Sequence, residues 1–145
     1  MRLLADIKKN VNIDIRELND KERDFIIKSI KEKYTSNIYS DLFLWEYFED
    51  YLSVQDENGW KYIEQFVGNN KCIVFFNKSQ EKAFIELNSG RDLNEMIGEM
   101  YGFEFYVTDK DSSYLICFSE HDILYGLGKA KNYINKLKQN GEKNE

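Results

Sequence analysis

The chain has 145 residues, 42% hydrophobic and 15% aromatic, with 32% charged and a formal net charge of −6. That composition excludes a disordered chain, and the length suits a single compact domain with one core. The negative field repels phosphate backbones and disfavours nucleic acid, and no apolar run approaches the roughly 20 residues that span a bilayer, so no membrane role is expected.

From the start of the chain, Asp6, Lys8 and Lys9 interrupt any apolar stretch that would serve as a secretion signal, and a cytoplasmic location follows as an expectation. Residues 2–9 read as a short helix with Leu3, Leu4 and Ile7 on one face. Asn19 or Asp20 can cap a second helix over 21–34, with an apolar stripe of Phe25, Ile26, Ile30 and Tyr34. Ser40 or Asp41 can cap a third, in which Leu44, Trp45, Phe48 and Leu52 share one face. Asn58 and Gly59 break the chain before a short fourth helix over 60–67.

The texture then changes to β-branched and aromatic runs. Residues 71–77 and 82–88 read as one hairpin, and 103–108 and 113–119 as a second, across the polar turn 109–112. Between them, residues 92–100 return to helical spacing through Leu93, Met96, Ile97 and Met100, with Gly102 as a C-terminal stop. A last helix is expected over 122–137, followed by a frayed polar tail over 139–145. The fold class is therefore α+β: one domain, N-terminal helices followed by β-β-α-β-β-α, with a mainly antiparallel sheet packed by helices on one face.

Residues suited to catalysis are sparse. His121 is the only histidine, with Asp122 beside it and Ser119 two positions earlier. A general base oriented by a carboxylate is the functional reading there, but helix capping at a strand-to-helix connection explains the same residues with fewer demands. Cys72 and Cys117 lie in apolar runs and read as buried thiols, and one His with two separated Cys gives no zinc spacing. Gly126 and Gly128 lack a phosphate-binding context and suit close packing of the last helix on the sheet. Glu95 and Glu99 read as a solvated helix face. No cofactor, no metal and no enzymatic activity are expected.

The informative segment is the middle. Residues 37–68 carry seven acids against one cation, Lys61, and so account for a charge equal to the whole net excess; nine aromatics fall between Tyr39 and Phe66. A helix needs only one apolar stripe, so rings left over on an acidic side are available to a basic partner. With Leu44, Trp45, Phe48 and Leu52 directed inward, the expected partner-binding set is Glu46, Tyr47, Glu49, Asp50 and Tyr51, continued through Asp56 and Glu57. The competing reading is a small enzyme or ligand-binding domain using the His121 region.

The stretches GFEFYVTD at 102–109, YLICFSEHD at 114–122 and GKAKNYI at 128–134 together resemble the C-terminal half of bacterial immunity proteins of polymorphic, LXG-type toxin systems, of the YxxD-like kind. Immunity proteins of the SUKH group are more distantly similar, sharing a helical start and a mixed sheet; their Asn-Gly-Gly signature is absent from this chain. The resemblance implies a cytoplasmic antitoxin that neutralises a cognate toxin domain by direct binding, often a nuclease whose active site is basic; a basic protein toxin as partner and a monomer or weak dimer are expected. It supplies no binding residues, because toxin contacts vary between pairs.

Overall fold

A computed structural model describes residues 3–36, 44–78, 80–100 and 103–143. They build five α-helices and one seven-stranded sheet, in which every neighbouring pair of strands is antiparallel. In chain order these are α1 (Leu3–Asn10), β1 (Arg16–Glu17), α2 (Asp20–Tyr34), β2 (Leu52–Gln55), α3 (Ile63–Val67), β3 (Cys72–Phe76), β4 (Ile85–Leu87), α4 (Gly90–Gly98), β5 (Phe105–Thr108), β6 (Tyr114–Phe118), β7 (Ile123–Gly128) and α5 (Ala130–Lys143). Short 3-10 turns lie at Leu44–Tyr47 and Gly59–Tyr62. Across the sheet the order is β1-β4-β3-β5-β6-β7-β2.

The α+β class is as expected, but the helices do not keep to one face. Strand β3 shows why. Cys72, Val74 and Phe76 join a core with Ile7 of α1, Ile63 and Val67 of α3, Leu93 and Met96 of α4, and Ala130 and Ile134 of α5. Ile73 and Phe75, pointing the other way, join a second core with Ile26, Ile30 and Tyr34 of α2. Every residue of β3, β5 and β6 is buried, and strands that are apolar on both sides need helices on both sides. The result is three layers, with α2 alone among the described helices on its face.

Local chemistry places α2. The Asn19 side chain accepts from the Glu22 backbone N–H at 2.8 Å while Glu22 reaches back to the Asn19 N–H at 3.0 Å, a reciprocal pair that ties down two N–H groups at the helix start. Ile26, Ile30 and Tyr34 form the i, i+4, i+8 stripe, and the Tyr34 hydroxyl donates to the Ser112 carbonyl at 2.6 Å. Phe25, expected in that stripe, is instead 65% exposed, one residue off the buried line. Helix α4 starts two residues before its expected first position, with Ser89 as the cap. The expected stop at Gly102 and the expected caps Ser40 and Asp41 lie outside the described residues.

Two elements differ in kind. In place of a third helix through Leu52 there is one 3-10 turn, then Asp50 at φ 54, then strand β2. Left-handed backbone at Asp50 ends any helical continuation, and Leu52 and Val54 both pack against the core at the two-residue period of a strand. The last helix begins at Ala130, not at residue 122, because residues 123–128 form β7. Ile123 and Leu127 are spaced as on a helix face, but Asp122 at φ 60 and Gly128 at φ 61 cannot be helical, and Ile123, Leu124 and Tyr125 favour a strand. Helix α5 then continues to Lys143, through the first part of the stretch expected to fray.

Gly126 in β7 fits the expectation of close packing, though from a strand. A Cβ there would stand 2.4 Å from Ile134 Cγ1 and 2.8 Å from the Ala130 carbonyl oxygen, so α5 approaches the sheet at a distance that only glycine allows. Gly126→Ala is expected to cost about 1–3 kcal/mol through forced displacement of α5, read as a lower urea midpoint at an unchanged slope.

Cys72 and Cys117 lie in the two separate cores, both buried and neither in a disulfide. Burial pushes the Cys72 thiol up to about 12 and Cys117 well above its usual value. Since the thiolate is the reactive form, a thiol reagent such as DTNB is expected to label neither cysteine of the native protein at pH 8 and both after unfolding in guanidinium. Rapid native labelling would show that one of these cores opens.

Candidate functional site

The seven residues expected at a binding surface fall into two groups, at opposite ends of β2. Four strand residues separate Tyr51 from Asp56, a span of about 17 Å at the usual rise per residue. Tyr51 meets Phe48 and Tyr125 on the α2 side of the sheet, whereas Glu57 lines a cleft with Ile97, Phe105 and Phe118 of the other side.

The first group holds Glu46, Tyr47, Glu49, Asp50 and Tyr51. Its backbone is fastened to the end of α2: the Glu49 N–H donates to the Tyr34 carbonyl at 2.9 Å, and Phe48 forms a bridge with Thr35. Phe48 is buried in the α2-side core, while Glu46, Glu49 and Asp50 are exposed and Tyr47 is half-buried. Tyr51 is 43% exposed, and its ring meets Tyr125 edge-on at 5.3 Å and Phe48 at 6.4 Å between centroids. An exposed ring fixed by two others is a rigid apolar projection, here with carboxylates beside it in the chain. Asp50 is not free, since Lys131 of α5 forms an ion pair with it.

The second group holds Asp56 and Glu57, and the two act differently. Asp56 braces its own loop, because one carboxylate oxygen accepts from the Asn58 N–H and the other from the Tyr62 hydroxyl, both at 2.8 Å. The bond to that carboxylate, with burial added, raises the Tyr62 phenol above its ordinary value. The Asp56 N–H donates to the Asp122 carbonyl at 2.9 Å, which joins this loop to the β6–β7 turn. Glu57 is exposed and lines a cleft of about 430 Å³ with Glu120 and Asp122.

The β6–β7 turn holds the residues of the alternative reading. His121 is well exposed, with Nε2 3.8 Å from Glu120. The Ser119 hydroxyl oxygen accepts from the His121 N–H at 3.3 Å and the Ile123 N–H at 3.4 Å, so it organises the turn and is not aligned with the imidazole by these bonds. Behind the turn lies Glu104, 2% exposed, whose carboxylate accepts from the Glu120 N–H at 2.9 Å and from the Asn77 amide. The Tyr106 hydroxyl donates to the Asn77 oxygen at 2.7 Å. Tyr106→Phe would leave a buried amide oxygen short of that donor and is expected to cost about 1–3 kcal/mol, measurable as a lower denaturation midpoint.

A second cavity, about 270 Å³, opens between α2 and the sheet beside stacked rings: Phe75 lies 4.6 Å from Phe84 and 4.8 Å from Tyr106. Its rim mixes Arg23, Lys78 and Lys82 with Asp24 and Glu81. Among the described residues, no three His, Cys, Asp or Glu side chains converge as metal ligands would.

One family model matches residues 3–138 and so spans all seven strands. The chain belongs to DUF6756, a family of unknown function. No curated protein and no solved structure matches it. Sequence reasoning misses Glu120 and Asp122 as neighbours of Glu57, because residues 119–122 read as a helix cap. Taking residues 123–128 as a strand turns the same polar residues into a hairpin tip.

Proposed function

We propose that this chain is an immunity-type protein that binds a cognate, basic protein toxin and blocks it. The surface that carries the reading is the exposed Tyr51 ring, braced by Phe48 and Tyr125, with Glu46 and Glu49 exposed nearby in the chain. A ring already held in place loses little conformational freedom on docking, and aromatic anchors of this kind dominate binding energy where a partner excludes water around them. The carboxylates act earlier, drawing a cationic surface into encounter and setting its orientation. Inhibition then needs no chemistry from this chain, only coverage of the toxin's substrate site. A cytoplasmic location and a 1:1 complex belong to the same proposal.

The test is a titration of the full chain with the product of the adjacent reading frame. Glu46→Lys with Glu49→Lys is expected to slow association at least tenfold at low salt and to flatten its salt dependence. Tyr51→Ala is expected to weaken affinity by about 30-fold, equivalent to about 2 kcal/mol, mainly through faster dissociation. Unchanged binding in both variants would remove this surface from the proposal.

A further inference from the structure

The cleft on the opposite face of the sheet has its own chemistry. Its walls come from the 3-10 turn at Gly59–Tyr62, the C-terminal end of α4 and the β6–β7 turn. Trp60, Ile97, Phe103 and Phe118 give it an apolar interior, and Trp60 and Phe103 are only half-buried. Glu57, Glu120 and Asp122 stand among its lining residues, all three exposed, and among the described residues no Lys, Arg or His lines it.

We infer that this cleft is the receptor for an arginine or lysine side chain carried on an apolar segment of a partner protein. The long stems of these side chains lie comfortably on rings, while their charged heads seek carboxylates at the water boundary. An anionic ligand meets three negative charges. A neutral apolar ligand would strip water from those charges and return nothing for it. The carboxylates do not converge tightly enough to act as ligands of a small cation, and the volume, about 430 Å³, falls in the range of organic ligands.

Two features add to the argument. The ring of Trp60 already attracts an ammonium group, for Lys61 Nζ lies 5.4 Å from its centroid, the geometry of a cation–π contact. The turn carrying two of the acids is also held in advance of any ligand. Glu104 receives the Glu120 N–H, Ser119 receives those of His121 and Ile123, and the Asp122 carbonyl receives the Asp56 N–H. A preformed rim loses less freedom when the guest arrives. The inference deepens the toxin-binding reading and rests on it only for the identity of the partner.

The experiment titrates the isotopically labelled full chain with an acetylated, amidated hexapeptide that alternates arginine with leucine and phenylalanine, followed by NMR. The control is the same peptide with glutamate in place of arginine. Expected are shifts at the Trp60 indole and at the Glu57, Glu120 and Asp122 amides with the arginine peptide, and none with the control. Glu57→Gln, Glu120→Gln and Asp122→Asn together should weaken binding at least tenfold while leaving thermal unfolding unchanged, since asparagine tolerates the φ of 60 at position 122. The inference is overturned by equal affinity in the triple variant, by shifts centred on Glu46, Glu49 and Tyr51 or spread over all acidic residues, or by no binding at millimolar peptide. If the peptide result fails while charge reversal at Glu46 and Glu49 still weakens toxin capture, the cleft is wrong and the toxin reading stands. The reverse pattern separates them the other way.

Discussion

The architecture follows from burial of the central strands on both sides. Because β3, β5 and β6 expose no residue on either face, the sheet is stable only when both surfaces are covered. Helices α1, α3, α4 and α5 cover one, and α2 covers the other. This demand explains the fully buried thiols, the glycine at the α5 contact and the tethering of α2 by Tyr34. It also explains the location of the candidate surfaces, which lie where coverage ends: one beside the C-terminal end of α2, the other at the end of the sheet next to α4.

Strand β2 is the element that organises those surfaces. It takes a sequence segment dense in rings and acids and stretches it along an edge of the sheet, so that Tyr51 ends against Tyr125 on one face while Glu57 lines a cleft floored by residues of the other. A helix through the same residues would have gathered them on one side. The acidic character of the segment therefore becomes two separate features, each completed by other parts of the chain. Lys131 of α5 pairs with Asp50 at the first, and Glu120 and Asp122 join the second.

Much of the fold was legible because local signals and tertiary demands agreed. The Asn19 cap with Glu22 three residues on, the continuous apolar run of β3 and the turn at 109–112 all act through short-range chemistry. The two elements misread as helices share a cause. Phe48 and Leu52, like Ile123 and Leu127, fall at the spacing of four that a helix face has; Ile123 and Leu127 satisfy it as two strand positions facing one core, whereas Phe48 and Leu52 enter opposite cores on either side of the bend at Asp50. What decides between them is backbone conformation at Asp50, Asp122 and Gly128, where φ is positive. Aspartate visits that region without announcing it in the sequence. The helices on both faces were foreshadowed by the unbroken apolar character of β3, which lacks the alternation of a strand with a wet side. The candidate site was legible as composition but not as geometry, because Glu120 and Asp122 reach Glu57 only through the pairing of β2 with β7.

The two outermost strands have a further implication. Strand β1 has only two residues and β2 only four, and both β1 residues are charged. Such brief margins offer little unpaired main chain for another polypeptide to extend the sheet by strand addition, and this protects against edge-to-edge polymerisation. Contacts at these margins would then fall to side chains and not to the main-chain ladder.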